Sequence, residues 1–183
     1  MRCFMTAMIL SMVLGSCAPP PPASPGAHLA VCFTPGQDCE DEIVAAVGEA
    51  RVSVLVQAYE LTSAPIAAAL ESDAARGVKV SILLDKSQRH GRGAKSWELA
   101  ADGIPVAIDY RPAIAHNKVM VIDESLPSAT VITGSFNFTR GAQDRNAENL
   151  LIVRGAPTLV KAYADNWRRR AAISEPLGSR DDQ

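Results

Sequence analysis

Residues 52–84, VSVLVQAYELTSAPIAAALESDAARGVKVSILL, contain the pattern that decides the fold class. Residues 52–59 are mostly apolar and β-branched, which is typical of a buried strand. A helical pattern follows at residues 63–76 and ends at Gly77. Residues 78–84 form another β-branched run, so a strand, a helix and a second strand follow one another. This order predicts an α/β layered sheet rather than a helical bundle or a β-sandwich.

The alternation of strands and helices continues on both sides of this segment. Further strands are predicted at residues 28–33, 106–109, 118–122, 129–133 and 149–153, and further helices at residues 38–51, 96–101 and 157–170. Arg168, Arg169 and Arg170 are interpreted as a solvated helix end that complements the helix dipole. The chain has no internal repeat, so we predict one domain over residues 28–173 and a flexible tail over residues 174–183.

The composition is that of a soluble globular protein, with 48% hydrophobic and 21% charged residues in a chain of 183. It excludes disordered and fibrous proteins. The 18 basic and 20 acidic side chains give a net charge of −2. The protein therefore has no overall positive field of the kind that a strongly basic nucleic-acid-binding domain has. An anionic partner must bind at a local basic patch.

Residues 1–17, MRCFMTAMILSMVLGSC, are predicted to be an export signal, because Arg2 precedes an apolar run that ends in small residues. The run is much shorter than the ~20 residues of a membrane-spanning helix. Residues 14–17 resemble a bacterial lipobox, in which Cys17 would be lipidated and would anchor the protein to a membrane; ordinary cleavage is the alternative. Residues 18–27, APPPPASPGA, are a Pro-rich linker. We expect a periplasmic, membrane-anchored or secreted protein.

Cys32 and Cys39 remain after cleavage of such a signal, and an oxidising compartment permits a disulfide between them. A zinc site is the alternative, but only His28 lies nearby and a structural zinc ion needs four ligands. A disulfide or two free thiols are therefore favoured over zinc, and no metal ligands are assigned.

Residues 86–95, KSQRHGRGAK, form the densest basic stretch before the C-terminus and are predicted to be a loop. Its glycines and its polar side chains favour either a phosphate-binding loop or an ordinary solvated one. The candidate substrate-binding residues are Lys86, Arg89, Arg92 and Lys95.

The sequence His116-Asn117-Lys118-Val119-Met120-Val121-Ile122-Asp123 has the spacing H-x-K-x4-D. On a strand that includes Lys118, His116 and Lys118 project from the same face. An imidazole beside an ammonium group is suited to attack on a phosphate whose negative charge grows in the transition state. Asp123 has the opposite parity and is interpreted as an orienting or turn residue.

Two downstream segments add polar groups. In residues 133–139, TGSFNFT, Gly134 permits close approach of the backbone, while Ser135 and Asn137 share a face and can hold phosphate oxygens. Glu148 comes directly before a β-rich run, where a carboxylate can orient a histidine and stabilise its charged form.

These residues together resemble the phospholipase D superfamily and its HKD motif, and are most similar to the short, single-motif, secreted bacterial endonucleases. The resemblance implies a mixed β-sheet flanked by helices on both faces in a single domain. It assigns catalytic positions to His116 as nucleophile or proton donor, Lys118, Ser135 and Asn137 as phosphate-binding residues, Glu148 as the carboxylate that supports a histidine, and Asp123 as the motif's aspartate.

The resemblance implies phosphodiester hydrolysis through a phosphohistidine, without a cofactor. One histidine attacks phosphorus and another protonates the leaving oxygen. His116 is the only histidine in an HKD context, since His90 lies in the basic loop. We therefore expect a homodimer in which two copies of His116 share one site, as in the single-motif members of the family.

Other functions are considered beside this one. A metal-dependent phosphodiesterase needs several His and carboxylate ligands, and the sequence contains only three histidines. A non-catalytic lipoprotein is disfavoured because the motif residues are all present. Nucleic acid is the expected substrate, with phosphatidyl headgroups as the alternative.

Overall fold

The computed structural model of the protein describes residues 26–179. The predicted signal with Cys17, and most of the predicted Pro-rich linker, lie outside the described residues. The strands are β1 (His28–Thr34), β2 (Ser53–Ala58), β3 (Lys79–Asp85), β4 (Val106–Asp109), β5 (Lys118–Ile122), β6 (Thr130–Gly134), β7 (Glu148–Arg154) and β8 (Glu175–Pro176). The helices are α1 (Cys39–Gly48), α2 (Ala64–Ala75), α3 (Ser96–Ala101), α4 (Arg140–Asp144) and α5 (Pro157–Ala171), with a short 3₁₀ turn at Lys86–Arg89.

All eight strands form one mixed sheet in the order β1-β7-β6-β5-β2-β3-β4-β8. Strands β2, β3 and β4 are parallel, and the remaining neighbours are antiparallel. As a result β2, β3 and β4 end at the edge of the sheet where β5 and β7 begin. We call this edge the site edge.

The alternation of side chains along β5 explains why helices cover both faces of the sheet. Met120 and Ile122 belong to the larger core under α1 and α2. Val119 and Val121 pack on the other face, against α5. The sequence of a strand that is buried on both faces is a continuous apolar run. The predicted α/β architecture with helices on both faces is confirmed.

Local signals in the sequence fix where the helices begin. Ser63 accepts a hydrogen bond on its side chain from the backbone N–H of Ile66 and so caps α2, while Pro65 occupies the first turn. Asp38 caps α1 in the same way through the N–H of Asp41. Such caps satisfy amides that have no partner inside the helix.

Two expectations about the C-terminal part of the domain are wrong. The flexible tail was expected from residue 174, but Glu175 and Pro176 pair with β4 as an additional edge strand. Arg170 was expected to be solvated, but its guanidinium binds the buried carboxylate of Asp109 through two hydrogen bonds of 2.8 Å. The neighbouring Arg168 pairs with Glu124. The helix end is therefore tied to β4 and to the turn after β5.

Cys32 on β1 and Cys39 at the start of α1 form a disulfide. Thr34, at the end of β1, donates its hydroxyl proton to the backbone carbonyls of Ala142 and Asn146 at 3.0 Å. These links join β1 and α1 to α4, a short helix that the sequence patterns did not predict. The segment before β7 is held in place as a result.

Candidate active site

The site edge brings together three segments that are distant in sequence. Lys118 opens β5, Gly134 closes β6 and Glu148 opens β7. The antiparallel registers pair Val119 with Thr133 and Gly134 with Leu150, so the three strand ends lie side by side. The sheet topology, rather than sequence proximity, assembles the candidate site.

His116 precedes β5 and is exposed at this edge. Its imidazole packs against the ring of Tyr59, with ring centroids 4.6 Å apart and planes tilted by 50°. The backbone N–H of Tyr59 also donates to the carbonyl of Asn117 at 2.7 Å. Tyr59 follows the last residue of β2, so the end of that strand supports the histidine.

Asp85, at the end of β3, anchors the segment that leads to His116. Its buried carboxylate accepts hydrogen bonds from the backbone N–H groups of Ser87, at 2.9 Å, and Ala115, at 2.7 Å. Burial alone raises the pKa of Asp85, but these amide donors outweigh it and hold the pKa below its ordinary value. The carboxylate is therefore ionised and fixes the backbone one residue before the histidine.

The ammonium group of Lys118 lies beneath His116. The side chain is 7% exposed, its Nζ donates to the carbonyl oxygen of His116 at 3.0 Å, and it lies 5.0 Å from the centre of the Tyr59 ring. Burial lowers the pKa of Lys118, while the negative charges of Glu60 and Glu148 partly oppose that shift. A positive charge is thus held in a sheltered position beside an exposed imidazole.

Ser135 and Glu148 form a compact hydrogen-bonded pair. The Ser135 hydroxyl donates to Oε2 of Glu148 at 2.5 Å, and the Asn146 amide donates to Oε1 at 2.9 Å. The backbone N–H of Asn149 donates to the Ser135 oxygen at 3.0 Å. Both carboxylate oxygens of Glu148 are therefore oriented before any substrate arrives.

Gly134 is required by the close approach of β6 and β7. A Cβ atom at this position would lie 2.2 Å from the carbonyl oxygen of Asn149. That same oxygen accepts hydrogen bonds from the N–H groups of Ser135 and Phe136. Phe136 is fully buried and fixes the turn that presents Asn137, whose side chain is half-buried.

Asp123 does not lie in this group. It lies just beyond the far end of β5, at the opposite edge of the sheet. There its carboxylate accepts hydrogen bonds from the backbone N–H groups of residues 51–53 at 2.7–3.1 Å. It also adopts φ 52°, a left-handed conformation that aspartate tolerates better than most residues. Its position supports the orienting interpretation, and its place among the catalytic candidates is corrected.

The four candidate substrate-binding residues of the basic loop have different surroundings. Lys95 pairs with Glu98 at 2.6 Å, and Lys86 donates to the carbonyl of Pro112 at 3.4 Å. Arg89 is half-buried. Arg92 lines a cavity together with Tyr59 and Asn137, and this cavity joins it to the His116 site.

Tyr59, Glu60, Asp85 and Asn146 were not assigned to the site from the sequence. Tyr59 and Asp85 carry one recognisable signal, since each stands at or directly after the end of a predicted parallel strand, where functional side chains often collect. Asn146 has no such signal, because its role depends on the unpredicted helix α4.

Within residues 26–179, no three His, Cys, Asp or Glu side chains cluster in a way that could hold a metal ion. In the same part of the chain, no helix combines the length and the apolar character needed to cross a membrane.

Comparison with known proteins gives a consistent result. Residues 43–170 match the family model described as "Cardiolipin synthase, PLD-like domain". The protein is 44% identical over 144 residues to a "Phospholipase D" of Rickettsia conorii, covering 79% of this chain and 70% of the relative. It is 33% identical over 94 residues to a "Mitochondrial cardiolipin hydrolase" of Xenopus tropicalis, covering 51% of this chain and 42% of that protein.

Among solved structures, the protein resembles the crystal structure of Nuc, a phospholipase D family member from Salmonella typhimurium. The TM-score is 0.76 at 30% sequence identity, over 82% of this chain and 97% of Nuc. The family model, the relative and the solved structure all indicate the same family. The chain therefore belongs to the phospholipase D superfamily and is a hydrolase of phosphodiester bonds.

Proposed function

We propose that the protein hydrolyses phosphodiesters without a metal ion, through a phosphohistidine on His116, and acts as an exported endonuclease. The observation that carries this proposal is the sheltered ammonium of Lys118, which donates to the backbone carbonyl of His116 and lies 5.0 Å from the Tyr59 ring that packs on the exposed imidazole. A fixed positive charge beside a nucleophile stabilises the charge that develops on phosphoryl oxygens, which is the task that a metal ion performs in other phosphodiesterases.

In the first step, an imidazole nitrogen of His116 forms a bond to phosphorus while the bond to the leaving oxygen breaks. The leaving alkoxide takes a proton from a second histidine. In the second step, water attacks phosphorus as the bond between phosphorus and the His116 nitrogen breaks, and the second histidine removes the proton of the water. Asn137 contacts the phosphoryl oxygens beside Lys118. Ser135 and Glu148 act as one oriented unit that supports a charged imidazole.

The second histidine is proposed to come from another copy of the chain in a two-fold dimer. One face of the edge strand β1 carries exposed apolar side chains, with Leu29 64%, Val31 53% and Phe33 53% exposed. Phe33 pairs with Asn149, which contacts Ser135, so this apolar stripe leads to the active site. A second copy that covers the stripe would remove it from water and bring two sites together.

Mixing wild-type chains with His116→Ala chains tests the shared site. After subunit exchange, a mixed dimer holds a single His116 and should be inactive, because it lacks either the nucleophile or the acid. Activity should then fall with the square of the wild-type fraction, measured as initial rate at constant total protein. A linear decline would mean that each chain works alone, with His90 as the candidate for the missing acid.

Nucleic acid is the proposed substrate and phospholipid is the second candidate. The basic residues around Arg92 favour a polyanion. The second candidate is favoured by the relatives, which bear the names phospholipase D and cardiolipin hydrolase. Export, with lipidation of Cys17, is proposed on the N-terminal sequence and is compatible with either substrate.

Removal of divalent ions tests the proposed chemistry. We expect the purified protein to cleave plasmid DNA, single-stranded DNA or phosphatidylcholine at the same rate before and after treatment with excess chelator. The three substrates, assayed side by side, also rank the two candidate functions. Loss of most activity with chelator, restored by a divalent cation, would contradict the proposed mechanism.

The pH dependence provides a separate prediction for Lys118. Because burial lowers its pKa, the alkaline limb of the pH profile should lie below the range of an ordinary lysine. Glu60 raises this pKa by its charge, so Glu60→Gln should move the limb to still lower pH. The measurement is kcat/KM against pH on a small diester whose leaving group does not titrate in the pH range measured. Glu49→Gln, at the opposite edge of the sheet, is the control. An unmoved limb, or a shift to higher pH, would show that Lys118 does not set it.

A further inference from the structure

A cavity of about 560 Å³ opens at the site edge beside Tyr59, the residue that packs on His116. It lies between the end of β2, the basic loop and the segment that carries α4. We call it the polar groove, and the lining residues that matter here are Tyr59, Glu60, Arg92, Asn137, Arg145 and Asn146.

The polar groove is continuous with the catalytic residues. The Tyr59 ring forms part of its wall and packs on His116. Asn146 lines it and donates to Glu148. A substrate whose phosphate lies at His116 can therefore extend directly into the groove.

The charges in the groove favour an anionic ligand. Within residues 26–179, neither Arg92 nor Arg145 has an ion-pair partner, whereas Arg140 is neutralised by Asp144 at 2.8 Å. The carboxylate of Glu60 also lines the groove, and its charge acts on Lys118. Two guanidinium groups thus remain for a ligand, and guanidinium binds phosphate with two parallel hydrogen bonds.

Arg145 is held close to the backbone at this position. Its guanidinium lies over Gly141, where a Cβ atom would come within 3.1 Å of a guanidinium nitrogen. The glycine therefore leaves room for the guanidinium to lie against the wall of the groove.

Asn137 provides an independent indication of a ligand. Its Oδ1 is buried, yet no group in the described part of the chain donates a hydrogen bond to it. Buried polar atoms are nearly always hydrogen-bonded, so this acceptor favours a donor on a bound molecule. Sugar hydroxyls and base amino groups are such donors, and a phosphate is not.

The lining also distinguishes between the two candidate substrates. None of the described side chains that line the groove is aliphatic, and Tyr59 is its only aromatic residue. An acyl chain would gain no apolar contact there, while a nucleotide finds cations, a hydrogen-bond acceptor and an aromatic face.

We propose that the polar groove binds the nucleotide next to the scissile bond, with its phosphate on Arg92 and Arg145 and a sugar or base donor on Asn137. This inference rests on the proposed function of the His116 site. The preferred substrate is then a strand with at least two consecutive phosphates, and the protein distinguishes a polynucleotide from an isolated diester.

The test compares two substrates in Arg92→Gln and Arg145→Gln. One is a 12-residue single-stranded oligonucleotide, and the other is bis(p-nitrophenyl) phosphate, which has no flanking phosphate. Each variant should lose about fivefold to tenfold more kcat/KM on the oligonucleotide than on the small diester. The slope of the logarithm of oligonucleotide affinity against the logarithm of salt concentration should decrease in magnitude by about 0.7 per arginine. Arg169→Gln, an exposed arginine on α5, removes one charge elsewhere and should keep the wild-type ratio of the two activities.

Binding provides a second measurement that does not depend on turnover. In a His116→Asn background, fluorescence anisotropy of the labelled oligonucleotide should show the same fivefold to tenfold weakening for each groove variant. Equal effects on both substrates together with unchanged binding would overturn the groove proposal. The proposal would also be overturned if the groove variants lost activity on phosphatidylcholine vesicles alone, because the groove would then bind a lipid headgroup. If the wild-type protein cleaves no diester but the groove variants still weaken binding, the proposed function fails and the groove proposal stands.

Discussion

Replacing His116 by alanine should lower kcat by at least about 10⁴-fold, since the loss of a general acid alone is worth about 10²–10⁴. In a shared site the substitution removes the nucleophile and the acid together. Its side chain is exposed, so the fold should tolerate the change. The measurement is steady-state hydrolysis of a diester at saturating substrate, with circular dichroism to verify folding.

His90→Ala is the matched control for this prediction. His90 is also exposed, but it lies in the basic loop rather than beside Lys118. Its replacement should lower kcat by less than about tenfold, the range of a substrate contact rather than of an acid or nucleophile. If the two variants were equally inactive, the assignment of His116 as the sole histidine of the reaction would be wrong.

Lys118→Met should lower kcat by about 10²–10³, the cost of removing one preorganised group that stabilises transition-state charge. Methionine has nearly the same length and carries no charge. Because burial disfavours the ammonium, as the lowered pKa of Lys118 indicates, the variant should unfold at the same or a higher temperature than wild type. Loss of activity without loss of stability is therefore the expected signature.

Lys161→Met, on the exposed surface of α5, serves as the control, because it removes a lysine charge that pairs with Asp165, away from the site edge. It should retain wild-type kcat. Wild-type turnover in a well-folded Lys118→Met protein would mean that the H-x-K-x4-D spacing arose by accident.

The strands and long helices could be predicted because each strand is an apolar, β-branched run and each long helix repeats apolar residues at helical spacing. The strands 106–109 and 118–122 agree with the structure residue for residue, and α2 and α5 agree within one or two residues. Helix α4 and strand β8 are too short to show a period. They form because neighbouring elements hold them, as Thr34 holds α4 and β4 holds β8.

The positions of the candidate site residues could be predicted only in part. His116, Lys118, Ser135, Asn137 and Glu148 converge on the site edge because the antiparallel register of β5, β6 and β7 aligns their strand ends. The opposite parity of Asp123 already indicated an orienting or turn residue, but a local pattern could not identify the groups that it orients. Its three amide donors come from residues 51–53, about 70 positions away.

The supporting residues depend on tertiary contacts that leave no trace in a local pattern. Tyr59 faces His116 from another strand, and Asp85 reaches the amide of Ala115 across 30 positions. Arg170 looks like part of a solvated basic helix end until the position of Asp109 is known. In each case the partner, rather than the residue itself, decides the role.

In the proposed mechanism, His116 becomes covalently bound to phosphorus during turnover. The direct measurement is a rapid quench into base of wild-type protein with a ³²P-labelled diester, followed by peptide mass spectrometry, since phosphohistidine survives alkali and is lost in acid. We predict that His116 carries the labelled phosphorus together with its one remaining ester group, that this adduct forms at an undiminished rate in the presence of chelator, and that it is absent from His116→Ala. Turnover with no label on the protein at any time, or a label that persists in His116→Ala, would contradict the account.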